Sequence, residues 1–281
     1  MDQWMFSVDD LSKTPSVQDG FSPGDEAAQK AWACIYIRRI GRDLKLSTET
    51  VATAKYFLQR FYLRKSLRDV NPYEVAPAAL YLSCKLSDSY RKLRIFIIST
   101  VKIIAKQTIT ESSKEYRRWS NAIQSTEEML AEALCFDFSV ALPHYYALKL
   151  IDDIGGSESL KRLTLELCDD ASCTSIILYQ PPITVAAIAL YVASLSMPGA
   201  LIDRMTGASG VECLSSLDYP ELQALDDITV ADWSRELRFD LEGPVGLKDE
   251  QVTAAFKKLA DFRAGLTVIN GNASDVDQDS K

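Results

Sequence analysis

The sequence predicts an all-α protein built from two related helical domains, and three observations carry that reading. Apolar residues recur every three or four positions along nearly every patterned segment, and no stretch alternates with the period of two that a half-buried strand requires. Two fragments repeat in the same order. Val75-Ala76-x-x-Ala79-Leu80-Tyr81 returns 110 residues later as Val185-Ala186-x-x-Ala189-Leu190-Tyr191, and Leu134-x-Phe136-Asp137 returns 103 residues later as Leu237-x-Phe239-Asp240. Shared order at nearly equal offset marks a duplicated unit of about 100 residues. The chain length, 281 residues, accommodates two such cores.

Each element has its own signal. Ser22-Pro23 is an N-cap followed by proline at the first helical position, where the missing N–H costs nothing. The helix it opens carries Ala28, Trp32, Ile35, Tyr36 and Ile40 on one side and is expected to stop near Gly41. Ser47 opens a second, striped by Val51, Ala54, Leu58 and Phe61. Asn71-Pro72-Tyr73-Glu74 supplies cap, proline and acid for a third, with Val75, Ala78, Ala79, Leu82 and Leu86 on one face. A fourth helix is expected from Arg91 to Lys106 and a fifth from Ser113 to Leu134, ending at Cys135-Phe136-Asp137-Phe138. The junction of the two domains falls near Ser139–Pro143, and the polar tail after Gly265 is expected to be disordered.

Composition narrows the class. No run of uncharged apolar residues is long enough to span a membrane, and Met1-Asp2-Gln3-Trp4 lacks the basic-then-apolar layout of a signal peptide. Cysteines 34, 84, 135, 168, 173 and 213 form no C-x-x-C pair and lie among apolar neighbours, the pattern of reduced core thiols in an intracellular protein. The net charge is −8 but unevenly spread: Lys and Arg number 20 against 17 Asp and Glu up to residue 138, and 11 against 22 beyond it. Such asymmetry points to an interaction face in the first half. A pI near 4.9 argues against a dedicated nucleic-acid binder.

Catalytic patterns are poor. His144, the lone histidine, sits at the domain junction and reads as structural. No nucleophile elbow, zinc-binding helix or phosphate loop is present. Asp152-Asp153, Asp169-Asp170 and Asp226-Asp227 evoke the magnesium-binding helices of all-α isoprenoid diphosphate enzymes. The carboxylate one turn on is replaced by Gly156, Cys173 and Val230, so these acids read as surface residues. No cofactor or metal is expected.

Two charges are more informative. Lys85 lies inside the third helix's apolar stripe and Glu127 inside the fifth's, and such residues are rarely buried without a partner. They either pair with each other or snorkel to water. The basic clusters Arg60, Arg64, Lys65, Arg68 and Arg91, Lys92, Arg94 read as solvated helix faces, with an acidic docking partner as the alternative.

These residues resemble a family. Trp4 followed by Asp10-Leu11-Ser12-Lys13-Thr14-Pro15-Ser16-Val17-Gln18-Asp19-Gly20 is similar to the N-terminal arm of transcription cyclins of the K, T and L type. Arg60-Phe61-Tyr62, Val75 through Lys85, and Arg91-Lys92-Leu93 resemble the core of their first cyclin box. Lys114-Glu115-Tyr116-Arg117-Arg118-Trp119 and Glu127-Glu128-Met129-Leu130 are similar to the fifth helix of fungal members, and Cys168 to Thr174 resembles a cyclin K stretch.

The resemblance implies two tandem five-helix boxes: an arm over residues 1–24, a kinase-binding box over 25–138, a second box over 139–242, a helix over 243–264 and a tail over 265–281. It implies a nuclear, non-catalytic regulatory subunit. Its partner would be a transcription-class cyclin-dependent kinase acting on the C-terminal repeats of RNA polymerase II. No membrane or sequence-specific nucleic acid is implied as a partner. The kinase-binding residues it implies are Lys30, Lys85, Leu86, Glu127, Ala131 and Phe136. Two departures stand out: Ser87-Asp88 where the family has an acidic pair, and Gln59 where it has aspartate or histidine. Helix one lacks the apolar signature with which cell-cycle cyclins dock substrates, so no such groove is expected. The rivals are a cyclin-fold general transcription factor, which would carry a zinc ribbon and a basic second domain, and the isoprenoid enzyme.

Overall fold

The computed structural model describes residues 3–87, 89–153 and 155–196. These form ten α-helices and one 3-10 turn, with no strand among the described residues. Two compact units emerge. The first comprises residues 3–142 together with Ser172–Gln180, and the second is described over Pro143–Ala171 and 181–196.

Helices α1 (Val8–Leu11) and α2 (Pro15–Gln18) belong to the arm. The core of the first unit is α3 (Pro23–Asp43), α4 (Thr48–Phe61), α5 (Pro72–Leu86), α6 (Leu93–Ile104) and α7 (Lys114–Ala133). Four of these five start where the sequence places their caps. Ser22, Ser47, Asn71 and Ser113 each accept a hydrogen bond from a backbone N–H in the first turn, satisfying a donor the helix cannot. Lys92, which precedes α6, makes no side-chain cap.

The end of α3 differs from expectation. Gly41 does not stop the helix, which runs to Asp43. Its glycine answers a packing need: a Cβ there would lie 2.5 Å from Val51 Cγ2, so α3 and α4 approach closely only because that atom is missing. Periodicity cannot distinguish a helix-ending glycine from one that admits a neighbouring helix.

Helix α5 is the central element, touching α3, α4, α6 and α7. Every residue from Val75 to Cys84 is buried, including Pro77. Small residues at 76, 78 and 79 let neighbours close in on all sides. Its C-terminal end is tied to the start of α4: Ser83 Oγ donates to Thr50 O at 2.7 Å, and the Ser87 and Thr50 hydroxyls lie 3.1 Å apart. Asp43 at the end of α3 bonds Ser99 and Lys102 of α6, both at 2.7 Å. Those bonds hold its carboxyl below the ordinary aspartate range.

In the second unit α8 (Pro143–Asp153), α9 (Glu158–Ala171) and α10 (Pro182–Ser196) pack on one another. The first half of the internal repeat holds, because the two Val-Ala-x-x-Ala-Leu-Tyr segments fall in α5 and α10, with Ala79 and Ala189 both buried. The partner fragment at Leu237–Asp240 lies outside the described residues, as do Cys213, Asp226-Asp227, the 243–264 helix and the 265–281 tail.

Two expectations are corrected. Cys34, Cys84, Cys168 and Cys173 are buried and outside any disulfide, but Cys135 is exposed because the chain turns left-handed there, at φ 52°. Asp170 is buried at the end of α9 rather than a surface acid.

Candidate functional site

The C-terminal turn of α5 and the second half of α7 bring the two stripe charges together. Lys85 Nζ lies 2.8 Å from Glu127 Oε1 and 2.9 Å from Oε2, so one ammonium spans both carboxylate oxygens. Of the two side chains, Lys85 is 41% exposed and Glu127 14%. The pair is therefore neither a core ion pair nor a loose surface contact. Lys85 Nζ also sits 4.6 Å from the ring centroid of Tyr81, one turn back on α5. Burial and the neighbouring Tyr90 phenol push the Tyr81 hydroxyl up to about 12, which keeps it neutral beneath the ammonium.

Two large apolar side chains stand exposed at the C-terminal ends of the same helices. Leu86 follows Lys85 and is 49% exposed, and Phe136 at the end of α7 is 69% exposed. Ala131, one turn beyond Glu127, is half-buried and leaves the helix surface open between them. Phe136 is held by an unusual turn. Cys135 and Phe136 both have positive φ, 52° and 57°, although neither is glycine. The Phe136 N–H bonds Ala131 O at 3.0 Å and the Cys135 N–H bonds Glu132 O at 2.9 Å, closing the helix with a left-handed cap. The Phe136 ring then meets Phe138 edge-on, and Phe138 meets Phe57. A strained turn that exposes an aromatic ring is a feature to explain by function.

Lys30 is placed elsewhere in the network. Its ammonium bonds Glu26 Oε1 at 3.0 Å, and both side chains are almost fully buried. Glu26 in turn accepts from Thr14 Oγ1 at 2.5 Å. The charge of Lys30 is thus committed within α3 and to the arm, not to the Lys85–Glu127 pair. Gln59, where the family carries aspartate or histidine, donates instead to Cys173 O at 3.0 Å.

Sequence reasoning missed the seat of the arm. Trp4 is 3% exposed, and its ring is covered by the Arg60 guanidinium at 4.8 Å and that of Arg64 at 5.4 Å. Its indole N–H donates to Asp137 Oδ2 at 2.9 Å, and Gln3 donates to the same oxygen. These bonds hold the Asp137 carboxyl below the usual aspartate range. Arg60 is itself buried and donates to Ser139 O at 2.8 Å, so it leaves the expected solvated face, on which Arg64, Lys65 and Arg68 are exposed. The available signal was Asp137 in the repeated Leu-x-Phe-Asp fragment, which marks a turn residue as well as a repeat.

Comparison with known proteins adds the family. The cyclin N-terminal domain matches residues 11–139. Cyclin-C1-2 of Arabidopsis thaliana is 30% identical over 179 residues, which cover 63% of this chain and 68% of that one. The chain belongs to the cyclin family. Cyclin pch1 of Schizosaccharomyces pombe is 38% identical over 191 residues, 66% of this cyclin and 56% of pch1, so the match spans little more than half of that relative. A chain of the yeast RNA Pol II CTD kinase CTDK-1 complex superposes with TM-score 0.61 at 19% identity, over 91% of this cyclin and 83% of that chain. The arm and all five core helices of the first unit, from Leu11 onward, lie within the matched domain.

Proposed function

We propose that this cyclin is the regulatory subunit of a transcription-class cyclin-dependent kinase acting on the C-terminal repeats of RNA polymerase II. The observation that carries the reading is the Lys85–Glu127 pair, partly exposed where α5 meets α7, with Leu86 and Phe136 exposed at the C-terminal ends of the same two helices. Lys85, Leu86, Glu127, Ala131 and Phe136 form the docking face, and Lys30, buried against Glu26, acts on it only through the fold of α3. The similarity to pch1 and to a chain of a Pol II CTD kinase complex supports the choice of kinase class.

The cyclin contributes no catalytic group. It acts by population shift, binding only the state in which the kinase's regulatory helix is in place. Moving a kinase from 1:99 to 99:1 takes about 5.5 kcal/mol of differential affinity. Apolar contacts around a fixed ion pair supply it, and the kinase's own lysine–glutamate pair then closes on ATP. The boxes at 25–138 and 139–242 and a nuclear location belong to the same reading.

The test is reconstitution. The cyclin alone should not phosphorylate a polymerase C-terminal repeat peptide, and a transcription-class kinase should do so only when the cyclin is added. Equal activity with and without the cyclin overturns the reading.

A further inference from the structure

We propose that Ser22 is a phosphorylation site for a proline-directed kinase, and that Thr14, which shares its motif, is shielded by the docked arm. The chain has ten prolines, and only Pro15 and Pro23 follow a serine or threonine. Both hydroxyl residues are helix N-caps in extended backbone, Thr14 at φ −61°, ψ 157° and Ser22 at φ −71°, ψ 148°. That is the conformation a residue before proline prefers; a helix begins at each proline, and a kinase cleft, which threads an extended segment, must first fray that helix's opening turn.

Access separates the two. Ser22 and the next three residues are exposed. Thr14 is 5% exposed, and its hydroxyl points at Glu26, itself 3% exposed. The arm that covers Thr14 is anchored at both ends. Trp4 is fixed to Asp137, while Ser16 Oγ accepts from Leu67 N–H at 3.1 Å and Arg68 donates to Asp19 O at 2.7 Å.

The chemistry at each hydroxyl has a different consequence. ATP gives up its γ-phosphoryl group: the bond to the β,γ-bridging oxygen breaks, the Oγ–P bond forms, ADP departs, and the hydroxyl proton passes to the kinase's base. At Ser22 the new oxygens take over acceptance from the Asp25 N–H, at the positive end of a 21-residue helix. They displace only the Asp25 carboxylate, which now receives the Ser22 hydroxyl at 2.7 Å. Arg68, bound to the same turn at Asp19 O, offers a cation to the phosphate. At Thr14 the transfer removes the proton given to Glu26 and sets a dianion against a buried carboxylate already paired with Lys30. Such an arm cannot redock. Thr14 is modified only after the arm leaves, and its modification keeps the arm off.

The experiment incubates the full chain with a purified proline-directed kinase of the mitogen-activated class and ATP, and maps phosphate by mass spectrometry at early times. Ser22 should be labelled, with Thr14 about tenfold slower or more because its modification waits on local opening. Trp4→Ala and Asp137→Ala loosen the anchor from opposite sides. In whichever of them retains wild-type helical circular dichroism, Thr14 labelling should rise to within about threefold of Ser22 as the opening penalty falls. Ser22 labelling should not change. An unlabelled Ser22, a wild-type Thr14 labelled as fast as Ser22, or a Thr14 that stays protected in both variants overturns the proposal.

Discussion

Replacing Glu127 by alanine leaves the Lys85 ammonium with only the Tyr81 ring, and replacing Lys85 leaves the Glu127 carboxylate alone. In the free cyclin the two losses are unequal. Lys85 is 41% exposed, so water replaces its partner, and Glu127→Ala should cost the fold no more than about 1 kcal/mol, the range of exposed pairs. Glu127 is only 14% exposed, so Lys85→Ala should cost somewhat more, about 1–2 kcal/mol, below the 3–5 kcal/mol of a fully buried orphan charge. Kinase docking strips the remaining water. The orphan then costs about 2–5 kcal/mol in the complex, a loss of affinity between about thirtyfold and a few thousandfold.

Calorimetric affinity for the kinase, read beside the thermal melt of each free variant, separates the two effects. Both singles should melt near the wild type and bind far more weakly. The double variant Lys85→Met with Glu127→Leu should recover part of the loss, since a matched apolar pair carries no desolvation penalty. If both single variants bind within about threefold of wild type, less than 1 kcal/mol, the face has been assigned wrongly.

Lys30 should behave in the opposite way. Lys30→Ala strands Glu26 in the interior, and the free cyclin should lose about 3 kcal/mol or more in chemical denaturation; an unchanged midpoint would refute the buried-pair reading. Cys135→Gly removes a side chain from a left-handed position and should raise stability by about 1 kcal/mol, read as a higher melting temperature, while kinase affinity holds. The arm should loosen in acid. Because the folded Asp137 carboxyl is held below its ordinary value of 3.8, its contribution is fully present above that pH and is lost as pH falls through the lower folded value. The Trp4 indole N–H resonance should report this step, and Asp137→Asn should abolish it.

Local chemistry was the legible part of the fold. Ser22, Ser47, Asn71 and Ser113 announce their helices because a cap needs only residues within one turn. The Val-Ala-x-x-Ala-Leu-Tyr echo was legible because burial at a helix crossing demands alanine at Ala79 and Ala189 alike. What the stripe of α5 offered was a lysine in the wrong company; that Glu127 meets it depends on how α5 and α7 pack, 42 residues apart in the chain. The arm's seat was hidden for the same reason. Nothing near Arg60 and Arg64 reveals that a tryptophan 56 and 60 residues upstream of them will lie beneath them. The left-handed turn at Cys135-Phe136 was illegible for a different reason, since turn chemistry points to glycine or asparagine and neither is present.

That turn joins the arm to the proposed docking face. Two consecutive residues with positive φ cost about 1–2 kcal/mol each, and a strained backbone persists only where its surroundings over-determine it. Here they do. The residue after Phe136 is Asp137, whose carboxylate receives both Trp4 and Gln3, and the one after that is Phe138, wedged against Phe57. The arm therefore fixes the turn from one side and the α4 aromatic fixes it from the other. Without them the end of α7 would relax toward an ordinary frayed terminus and Phe136 would sample many positions. With them it meets a partner already ordered, and binding avoids about 0.5–1.5 kcal/mol of side-chain ordering. The buried tryptophan of the arm bonds the residue next to Phe136, and so bears on the most exposed large apolar side chain among the described residues.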